Sequence, residues 1–393
     1  MRKKICIASG SRAEYGLLEP LIRVLSEDGF FDVRIAVTGT HLNNEFGMTY
    51  KQIEDDGYRI DTKIEILPLY DTVNATSIAM GKAIEKFSEY FREEKPDILV
   101  LLGDRYEAFA IASAAVVTLT PIAHIHGGEI SEGAYDDCFR HCITKMSQIH
   151  FPSCEIYKNR IIQMGEQPDK VFNVGALGIE NIMRMSLLSY EEIVNELGII
   201  PNMPYAVVTY HPVTLKQEDP CSGLIELLEA IDNCKDMQFV ITKSNADDGG
   251  TAINQMLEKY SADKIGRVKL FDNLGQLKYL SAVKYSEFVL GNSSSGVIEV
   301  PALKRPTVNI GIREKGRLQV ESIINCEPDT GEIMKAIKLA RSINMQKVCR
   351  LIKSPFDGGD TSMRIKTILK QYLMNDTKTL QKSFYDVIVD KNS

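Results

Sequence analysis

Hydrophobic and polar positions in the first part of the chain alternate between two patterns. Short apolar runs that end at or near a glycine predict buried strands at 3–9, 31–39, 96–104 and 120–128. Apolar residues at helical spacing predict helices at 13–28, 76–94, 105–118 and from Asp136 to about Ser147. This alternation is typical of a parallel sheet that is covered by helices on both faces.

A second cycle of the same alternation begins near residue 190. Strands are predicted at 204–212, 237–244, 267–273, 286–294 and 305–311. Helices are predicted at 222–233, 249–262, 274–284, 295–303, 330–341 and, last, 361–374. We therefore expect an α/β fold with two Rossmann-like, doubly wound parallel-sheet domains, 1–185 and 186–360, followed by a helix and polar tail at 361–393. In such sheets ligands bind beyond the carboxyl ends of the strands, so the predicted active site lies in the cleft between the domains.

Composition narrows the class of protein. The chain has 393 residues, of which 44% are hydrophobic and 25% charged, which is typical of a globular protein with more than one core. A net charge of -7 and the absence of a long Lys/Arg run argue against a nucleic-acid or membrane partner. Eight cysteines without a repeated spacing indicate reduced thiols and a cytoplasmic protein. No run reaches the roughly 20 apolar residues of a membrane span.

Four of the six histidines lie in one stretch, "HIHGGEISEGAYDDCFRHCITKMSQIHF", residues 124–151. His126 and Glu129 occupy a Gly-rich loop after a predicted strand, so we interpret them as acid/base or substrate-orienting groups. His124 and His150 are expected to be packed in the core.

The predicted helix after this loop carries further polar residues. Asp136 or Asp137 falls in its first turn, where a carboxylate favours the helix dipole, so capping is the alternative to a functional role. Arg140, His141 and Lys145 follow within neighbouring turns, and the last two share a face.

Cys138 and Cys142, with His141, raise the question of zinc. The stretch has neither a CxxC nor an HExxH spacing, and isolated cysteines on a helix usually pack as small hydrophobic residues. We therefore expect no metal and expect both cysteines to be packed.

Three further turns follow predicted strands. "ASGSRAEYG" places Arg12 where it could bind phosphate, although an ordinary turn with a solvated arginine explains it as well. "LLGDRYE" places Asp104, Arg105 and Glu107 at a strand end that faces the predicted cleft. "VVTYHPVT" places His211 at the corresponding end in the second domain, with a structural role as the alternative.

"VLGNSSSGVIEVPAL" is the strongest signal in the second domain. Ser293, Ser294 and Ser295 stand between a strand and a helix, where hydroxyl and amide donors suit a diphosphate. Glu299 can accept hydrogen bonds from ribose hydroxyls, and Arg313 can neutralise phosphate. A serine N-cap beside a surface glutamate would explain one serine but not the group.

Together, "GSRAEYG", "GDRYE", "HIHGGE", "DDxxRHxITKMSxxHF", "GNSSSGVIEVPAL" and "NIGxRxKGR" resemble the hydrolysing UDP-N-acetylglucosamine 2-epimerases. The resemblance covers nearly the whole chain and is closest to the bacterial subgroup that makes N-acetylmannosamine for sialic acid. It implies a GT-B type fold with the last helix crossing back to the first domain, no metal or nicotinamide cofactor, a UDP-sugar substrate and a homo-oligomer, dimer or tetramer.

The resemblance also implies the reaction. UDP leaves as the C2 proton is removed, which gives 2-acetamidoglucal, and water then adds to yield N-acetylmannosamine. Catalytic roles are expected for Asp104, His126, Glu129, Asp136 and His211. Substrate-binding roles are expected for Arg12, Arg105, Glu107, Asp137, Arg140, His141, Asn245, Ser293, Ser294, Ser295, Glu299 and Arg313.

One position departs from the wider family, which has Glu where this chain has His126. The identity of the C2 base is therefore open between Glu129 and His126. Three alternatives also stay open: the same reaction on UDP-2,4-diacetamido-2,4,6-trideoxyglucose, a GT-B glycosyltransferase, and a non-catalytic sugar-nucleotide sensor.

Overall fold

A computed structural model describes residues 2–68, 74–131, 135–212, 219–244, 249–375 and 380–387, with Glu45 described by its backbone alone. The chain forms two compact units. The first comprises Met1–Glu129, Asp136–Asn181 and Phe356–Ser393, and the second comprises Ile130–Tyr135 and Ile182–Pro355. The predicted domain boundaries lie after residues 185 and 360, whereas the observed boundaries lie after residues 181 and 355. In addition, the short segment 130–135 groups with the second unit.

The first unit is built on a parallel sheet of six strands in the order β3-β2-β1-β4-β5-β6. The strands are β1 (Lys3–Ser9), β2 (Phe31–Thr38), β3 (Ile60–Ile64), β4 (Ile98–Leu102), β5 (Ile122–Ile125) and β6 (Ile149–Phe151). The helices are α1 (Arg12–Ser26), α2 (Tyr50–Asp55), α3 (Ala75–Glu94), α4 (Tyr106–Val117), α5 (Asp136–Met146), α6 (Glu155–Gln163) and α7 (Leu177–Arg184), the last of which contains the passage to the second unit.

The second unit has six parallel strands in the order β12-β11-β10-β7-β8-β9. The helices and strands, in chain order, are α8 (Tyr190–Leu197), β7 (Tyr205–Thr209), α9 (Ser222–Asn233), β8 (Gln238–Thr242), α10 (Gly250–Asp263), β9 (Val268–Phe271), α11 (Gly275–Tyr285), β10 (Val289–Gly291), α12 (Ser294–Ile298), β11 (Thr307–Ile310), β12 (Ile323–Cys326), α13 (Thr330–Ala340) and α14 (Ile343–Leu351). A last helix, α15 (Thr361–Met374), belongs to the first unit.

Apolar burial explains both sheets. The inner strands are almost continuous runs of buried Val, Ile and Leu, as in β4, because helices cover both faces. Helix α1 begins at its N-cap Ser11 and buries Leu18, Leu21 and Leu25. Helix α15 adds Leu369 to the same core. The predicted doubly wound parallel architecture is therefore confirmed in each unit.

The strands that the pattern missed all lie at sheet edges. β3 and β12 are edge strands with mostly half-buried residues, so they lack a clear apolar run, and β6 has only three residues. The predicted helix at 295–303 is wrong in its extent, because α12 ends at Ile298 and a 3₁₀ turn follows at Val300–Leu303. Pro301, which has no backbone N–H, starts that turn instead of continuing the helix.

Candidate active site

The loop after β4 and the start of helix α5 share one buried guanidinium. Arg140 is 2% exposed and donates to Asp104 and, over 3.2 Å, to Oδ1 of Asp137. A buried charge of this kind requires opposite charges around it, and here it has two carboxylates. Arg140 therefore fixes Asp104 and Asp137 on the same side of the carboxyl edge of the sheet.

His141 extends this group. Its Nε2 lies 3.4 Å from Oδ2 of Asp137, and its Nδ1 is enclosed without a hydrogen-bond partner among the described residues. Burial lowers the pKa of His141, against the opposing effect of Asp137. The imidazole is thus predominantly neutral near pH 7 and able to accept a proton. Asp136 lies with Asp137 in the first turn of α5, as the sequence predicted.

His126 and Glu129 form a second pair in the loop after β5. His126 Nδ1 is 3.6 Å from Oε1 of Glu129, and the Ser153 hydroxyl donates to the same oxygen over 3.2 Å. His126 has a φ of 64°, a left-handed conformation that costs a residue with Cβ about 1–2 kcal/mol. Such strain is typical of functional positions, because the surrounding fold must hold the residue there.

The other two histidines of the 124–151 stretch are packed, as the sequence predicted. His124 is fully buried between the Gly103 carbonyl and the Thr144 hydroxyl, and burial lowers its pKa to about 3. His150 is fully buried with its Nε2 3.0 Å from Glu166.

The expected packing of Cys138 and Cys142 is wrong, because both are exposed on α5. The buried side of that helix is occupied instead by Arg140, Ile143 and Thr144. Within the described ranges, no group of three or more His, Cys, Asp or Glu side chains is arranged to hold a metal ion.

The turn after β1 carries Arg12, the first residue of α1, which is exposed. Beside this turn, Arg105 donates over 3.2 Å to Glu107, whose carboxylate is buried. Direct contacts of Arg12, Arg105 and Glu107 with a ligand stay predictions.

Glu14, which the sequence analysis did not select, lies at the same corner. Its Oε2 accepts the Gly10 N–H over 2.5 Å. Burial raises the pKa of Glu14 to about 7 in spite of this hydrogen bond, and the charge of Glu107 adds to the rise. The Ser11-x-x-Glu14 spacing of a capping box was the available signal, because Ser11 is the N-cap and its hydroxyl accepts the Glu14 N–H.

In the second unit, His211 follows β7 and Asn292 follows β10. The Asn292 side chain accepts the His211 N–H over 2.7 Å and donates to the His211 carbonyl over 2.8 Å. Gly291, the last residue of β10, is required because a Cβ there would collide with the Thr209 carbonyl of β7. The His211 Nδ1 lies 3.2 Å from the Ser244 hydroxyl.

The serine group begins α12. Ser293 is the N-cap and Ser294 the first helical residue, which agrees with the predicted strand-to-helix position. The Ser295 hydroxyl donates to Glu299 over 2.5 Å, and its contact with a ligand stays a prediction. Burial raises the pKa of Glu299. Asn245 lies outside the described residues.

Arg313 lies close to this group. Its Nη1 donates to the Asn292 carbonyl over 3.2 Å and to Oε1 of Glu314 over 2.8 Å. Because Glu314 is almost fully buried, it holds the guanidinium in one orientation. The carboxyl ends of β7, β10 and β11 thus present an arginine and neutral donors, a set suited to an anion.

Residues 23–370 match the family model of UDP-N-acetylglucosamine 2-epimerase. The chain belongs to this family. It is 42% identical over 326 residues to the hydrolysing GDP/UDP-N,N'-diacetylbacillosamine 2-epimerase of Campylobacter jejuni, covering 83% of this chain and 85% of the relative. It is 36% identical to the polysialic acid biosynthesis protein P7 of Escherichia coli, over 98% of both chains. The chain is therefore an enzyme of the hydrolysing UDP-sugar 2-epimerase class.

Solved structures of this epimerase family share the fold. The UDP-N-acetylglucosamine 2-epimerase of Neisseria meningitidis, solved with UDP-N-acetylglucosamine, superposes with a TM-score of 0.79 at 18% identity, covering 93% of this chain and all of the other. A structure from Listeria monocytogenes gives the same TM-score at 17% identity, over 98% of this chain and 99% of the other. The predicted GT-B type architecture, with two Rossmann-like domains, is confirmed.

Besides Glu14, three residues of this epimerase that contact predicted site residues were not predicted from the sequence: Ser153, Asn292 and Glu314. Asn292 and Glu314 stand inside the quoted motifs, directly beside selected residues. Asn292 pairs with the backbone of His211, which is far away in the sequence, and a linear motif does not reveal this. The arginine partners of Glu314 are close in the sequence, but the burial of its carboxylate is visible only in the structure. No helix in the described part of the chain is long and apolar enough to cross a membrane.

Proposed function

We propose that this enzyme converts UDP-N-acetylglucosamine and water to N-acetylmannosamine and UDP, as a step of sialic acid biosynthesis. One observation carries the proposal. A single sheet edge in the first unit presents the His126–Glu129 pair together with the carboxylates of Asp104 and Asp137 that Arg140 clamps. Two proton carriers are what an elimination followed by a hydration requires.

The proposed first half-reaction is elimination. A base takes the C2 proton, the C1=C2 double bond forms, and the C1–O bond breaks so that UDP leaves with the electron pair. The base is Glu129 or His126, since the two groups are adjacent and either can pass a proton to the other. Asp104, Asp136, Asp137 and the neutral imidazole of His141 are the groups we assign to the second proton carrier.

The second half-reaction is hydration of 2-acetamidoglucal. Water adds its oxygen to C1, and C2 receives a proton on the face opposite to the one that lost it, which inverts C2 and gives N-acetylmannosamine. Only protons and a leaving group move, so no oxidant or reductant is needed.

UDP leaves as an anion, and groups that stabilise its growing charge lower the barrier. We assign this role to Arg313, His211, Ser293 and Ser294, with Glu299 at the ribose. Arg12 and Asn245 complete the proposed nucleotide contacts. A homo-oligomeric state and a cytoplasmic location stay predictions.

A second substrate is favoured by a specific observation. The Campylobacter jejuni relative at 42% identity is named for N,N'-diacetylbacillosamine, which is 2,4-diacetamido-2,4,6-trideoxyglucose. The same elimination and hydration on its UDP derivative would feed legionaminic-type sugars. The chemistry at C1 and C2 is identical, so only the contacts to C4 and C5 of the sugar differ.

The experiment incubates the purified protein with each UDP-sugar in deuterated water and follows the sugar by proton NMR. We expect free UDP and N-acetylmannosamine that carries deuterium at C2. A higher kcat/KM for UDP-N,N'-diacetylbacillosamine would change the substrate and keep the reaction. UDP release that needs an added sugar acceptor would indicate a glycosyltransferase, and UDP binding without turnover would indicate a sensor.

A matched pair of variants then identifies the base. His126→Ala and Glu129→Gln remove the two candidates in turn, and deuterium exchange at C2 reports the proton transfer directly. Full turnover by His126→Ala would remove His126 from the mechanism.

A further inference from the structure

Arg317 belongs to the "KGR" part of a quoted motif, and the site described above leaves it without a role. Its Nε lies 2.7 Å from Oε2 of Glu314, whose Oε1 accepts from Arg313. One buried carboxylate therefore lies between two guanidinium groups. Since Arg313 also donates to the Asn292 carbonyl, Arg317 is the outer end of a network that begins at the nucleotide side.

The other side of Arg317 contacts a segment from a distant part of the sequence. Its Nη2 donates over 3.2 Å to the hydroxyl of Ser131, which is buried. Ser131 lies in Ile130–Tyr135, the segment that groups with the second unit. Along the chain, that segment is bounded by Glu129 on one side and Asp136 on the other. Arg317 thus holds Ser131, which follows the proposed catalytic carboxylate of Glu129 by two residues.

A carboxylate shared between two arginines makes the contact of Arg317 with Ser131 depend on what Arg313 binds. While Arg313 has no other anion, it competes with Arg317 for the carboxylate of Glu314. When a diphosphate binds Arg313, Glu314 interacts more strongly with Arg317, which then holds Ser131 more firmly. Diphosphate binding at Arg313 and the strength of the Arg317–Ser131 contact are therefore linked in both directions.

We propose that Arg317 is a positioning residue that couples diphosphate binding at Arg313 to the placement of Glu129, through its hydrogen bond to Ser131. The inference rests on the proposed function, because it requires UDP at Arg313. Arg317 itself need not touch the substrate.

The experiment compares Arg317→Lys, Ser131→Ala and their double variant with the intact enzyme. Lys keeps the positive charge of Arg317 but lacks the planar guanidinium that contacts both Glu314 and Ser131. Arg341→Lys is the matched control, since Arg341 forms a similar two-bond pair with Asp236 on the surface of the second unit. kcat, the Kd for UDP and the melting temperature are measured for each.

We expect Arg317→Lys to lower kcat about tenfold and Ser131→Ala to lower it less, while the Kd for UDP stays within about twofold. The double variant should match Arg317→Lys, because both changes break one interaction. A residue that only stabilises the fold would instead lower the melting temperature and weaken UDP binding in step with kcat. The inference would also be overturned if the kcat losses of the two single variants multiplied in the double variant, because the two changes would then act independently.

Hydrogen exchange supplies a readout that does not need turnover. UDP should slow amide exchange at Ile130 and Ser131 in the intact protein and in Arg341→Lys, but not in Arg317→Lys. If Arg317→Lys does not fold, Ser131→Ala decides by the same two measurements. Absence of UDP binding by the intact protein would contradict the proposed function, and the inference with it. UDP binding without this change in exchange would contradict the inference alone.

Discussion

The two sheets have the same strand order but different chemistry at their carboxyl edges. Read from β9, the second sheet runs β9-β8-β7-β10-β11-β12, which repeats the pattern β3-β2-β1-β4-β5-β6 of the first. The first edge presents titratable groups, including a strained histidine and a glutamate with a raised pKa. The second presents an amide, hydroxyls and an arginine, with the titratable side chains of His211, Glu299 and Glu314 beside them. The fold therefore fixes where a site lies, and the residues after the strands decide what it does.

The same position in each sheet carries the difference. Strand order reverses between β1 and β4 in the first sheet and between β7 and β10 in the second, and loops separate at such a switch point. Asp104 follows β4, and its carboxylate pairs with the guanidinium of Arg140. Asn292 follows β10, and its neutral amide pairs with the neutral backbone of His211. We expect substitutions at the two positions to have different effects on catalysis and on binding.

The largest expected effect is at the charged edge. Arg140→Met would leave the carboxylates of Asp104 and Asp137 without their shared counter-charge, so we expect stability to fall by about 3–5 kcal/mol. We also expect turnover to fall by at least about a hundredfold, because the carboxylates assigned to the second proton carrier lose their placement. Urea unfolding and steady-state kinetics measure the two effects.

Arg34→Met is the matched control, because Arg34 also lies between two aspartates, Asp32 and Asp61, but its side chain is 28% exposed. Solvent screening should limit that loss to about 1 kcal/mol, with turnover unchanged. Equal losses in the two variants would show that burial of Arg140 gives it no special role.

The second effect is at the neutral edge. Asn292→Asp keeps an acceptor for the His211 N–H but replaces the donor to the His211 carbonyl and adds a negative charge beside the proposed diphosphate. We expect the Kd for UDP to rise about 10- to 100-fold, which corresponds to roughly 1.5–3 kcal/mol. Calorimetric titration with UDP measures it.

Asn325→Asp, an exposed position on β12, is the corresponding control and should leave UDP binding unchanged. If Asn292→Asp lowers kcat while UDP binding is intact, the separation between a catalytic edge and a binding edge is wrong.

The smallest effect concerns the raised pKa of Glu14. A carboxyl whose pKa is higher in the folded state than in the unfolded state binds more protons when folded, so stability falls as pH rises from about 4.5 to about 7. Glu14→Gln cannot ionise and should be more stable than the intact protein at pH 8, by about 1–2 kcal/mol, and equal to it at pH 4. Unfolding midpoints at the two pH values measure the difference. A constant difference across this range would mean that Glu14 does not titrate there.

The sequence predicted the inner strands well because burial on both faces requires continuous apolar runs, as β4 has. It predicted the residues after those strands because the carboxyl edge is where a doubly wound sheet binds ligands. It did not predict Glu14 as functional, since its burial and the charge of Glu107 beside it arise only in the folded chain. It did not predict Glu314 either, because the burial of that carboxylate between two nearby arginines has no linear pattern. The exposure of Cys138 and Cys142 was missed because Arg140, a charged residue, takes the buried side of α5.

The chain order of the first unit has a consequence for protein synthesis. Its core is completed by α15, whose residues Ile365, Leu369 and Leu373 pack with those of α1. The ribosome therefore synthesises the whole second unit while the first unit still exposes the apolar surface that α15 will cover. The unit that is synthesised first completes its core last. A nonsense codon shortly before Thr361 would leave every candidate active-site residue translated, but those of the first unit would stand on a core that lacks α15.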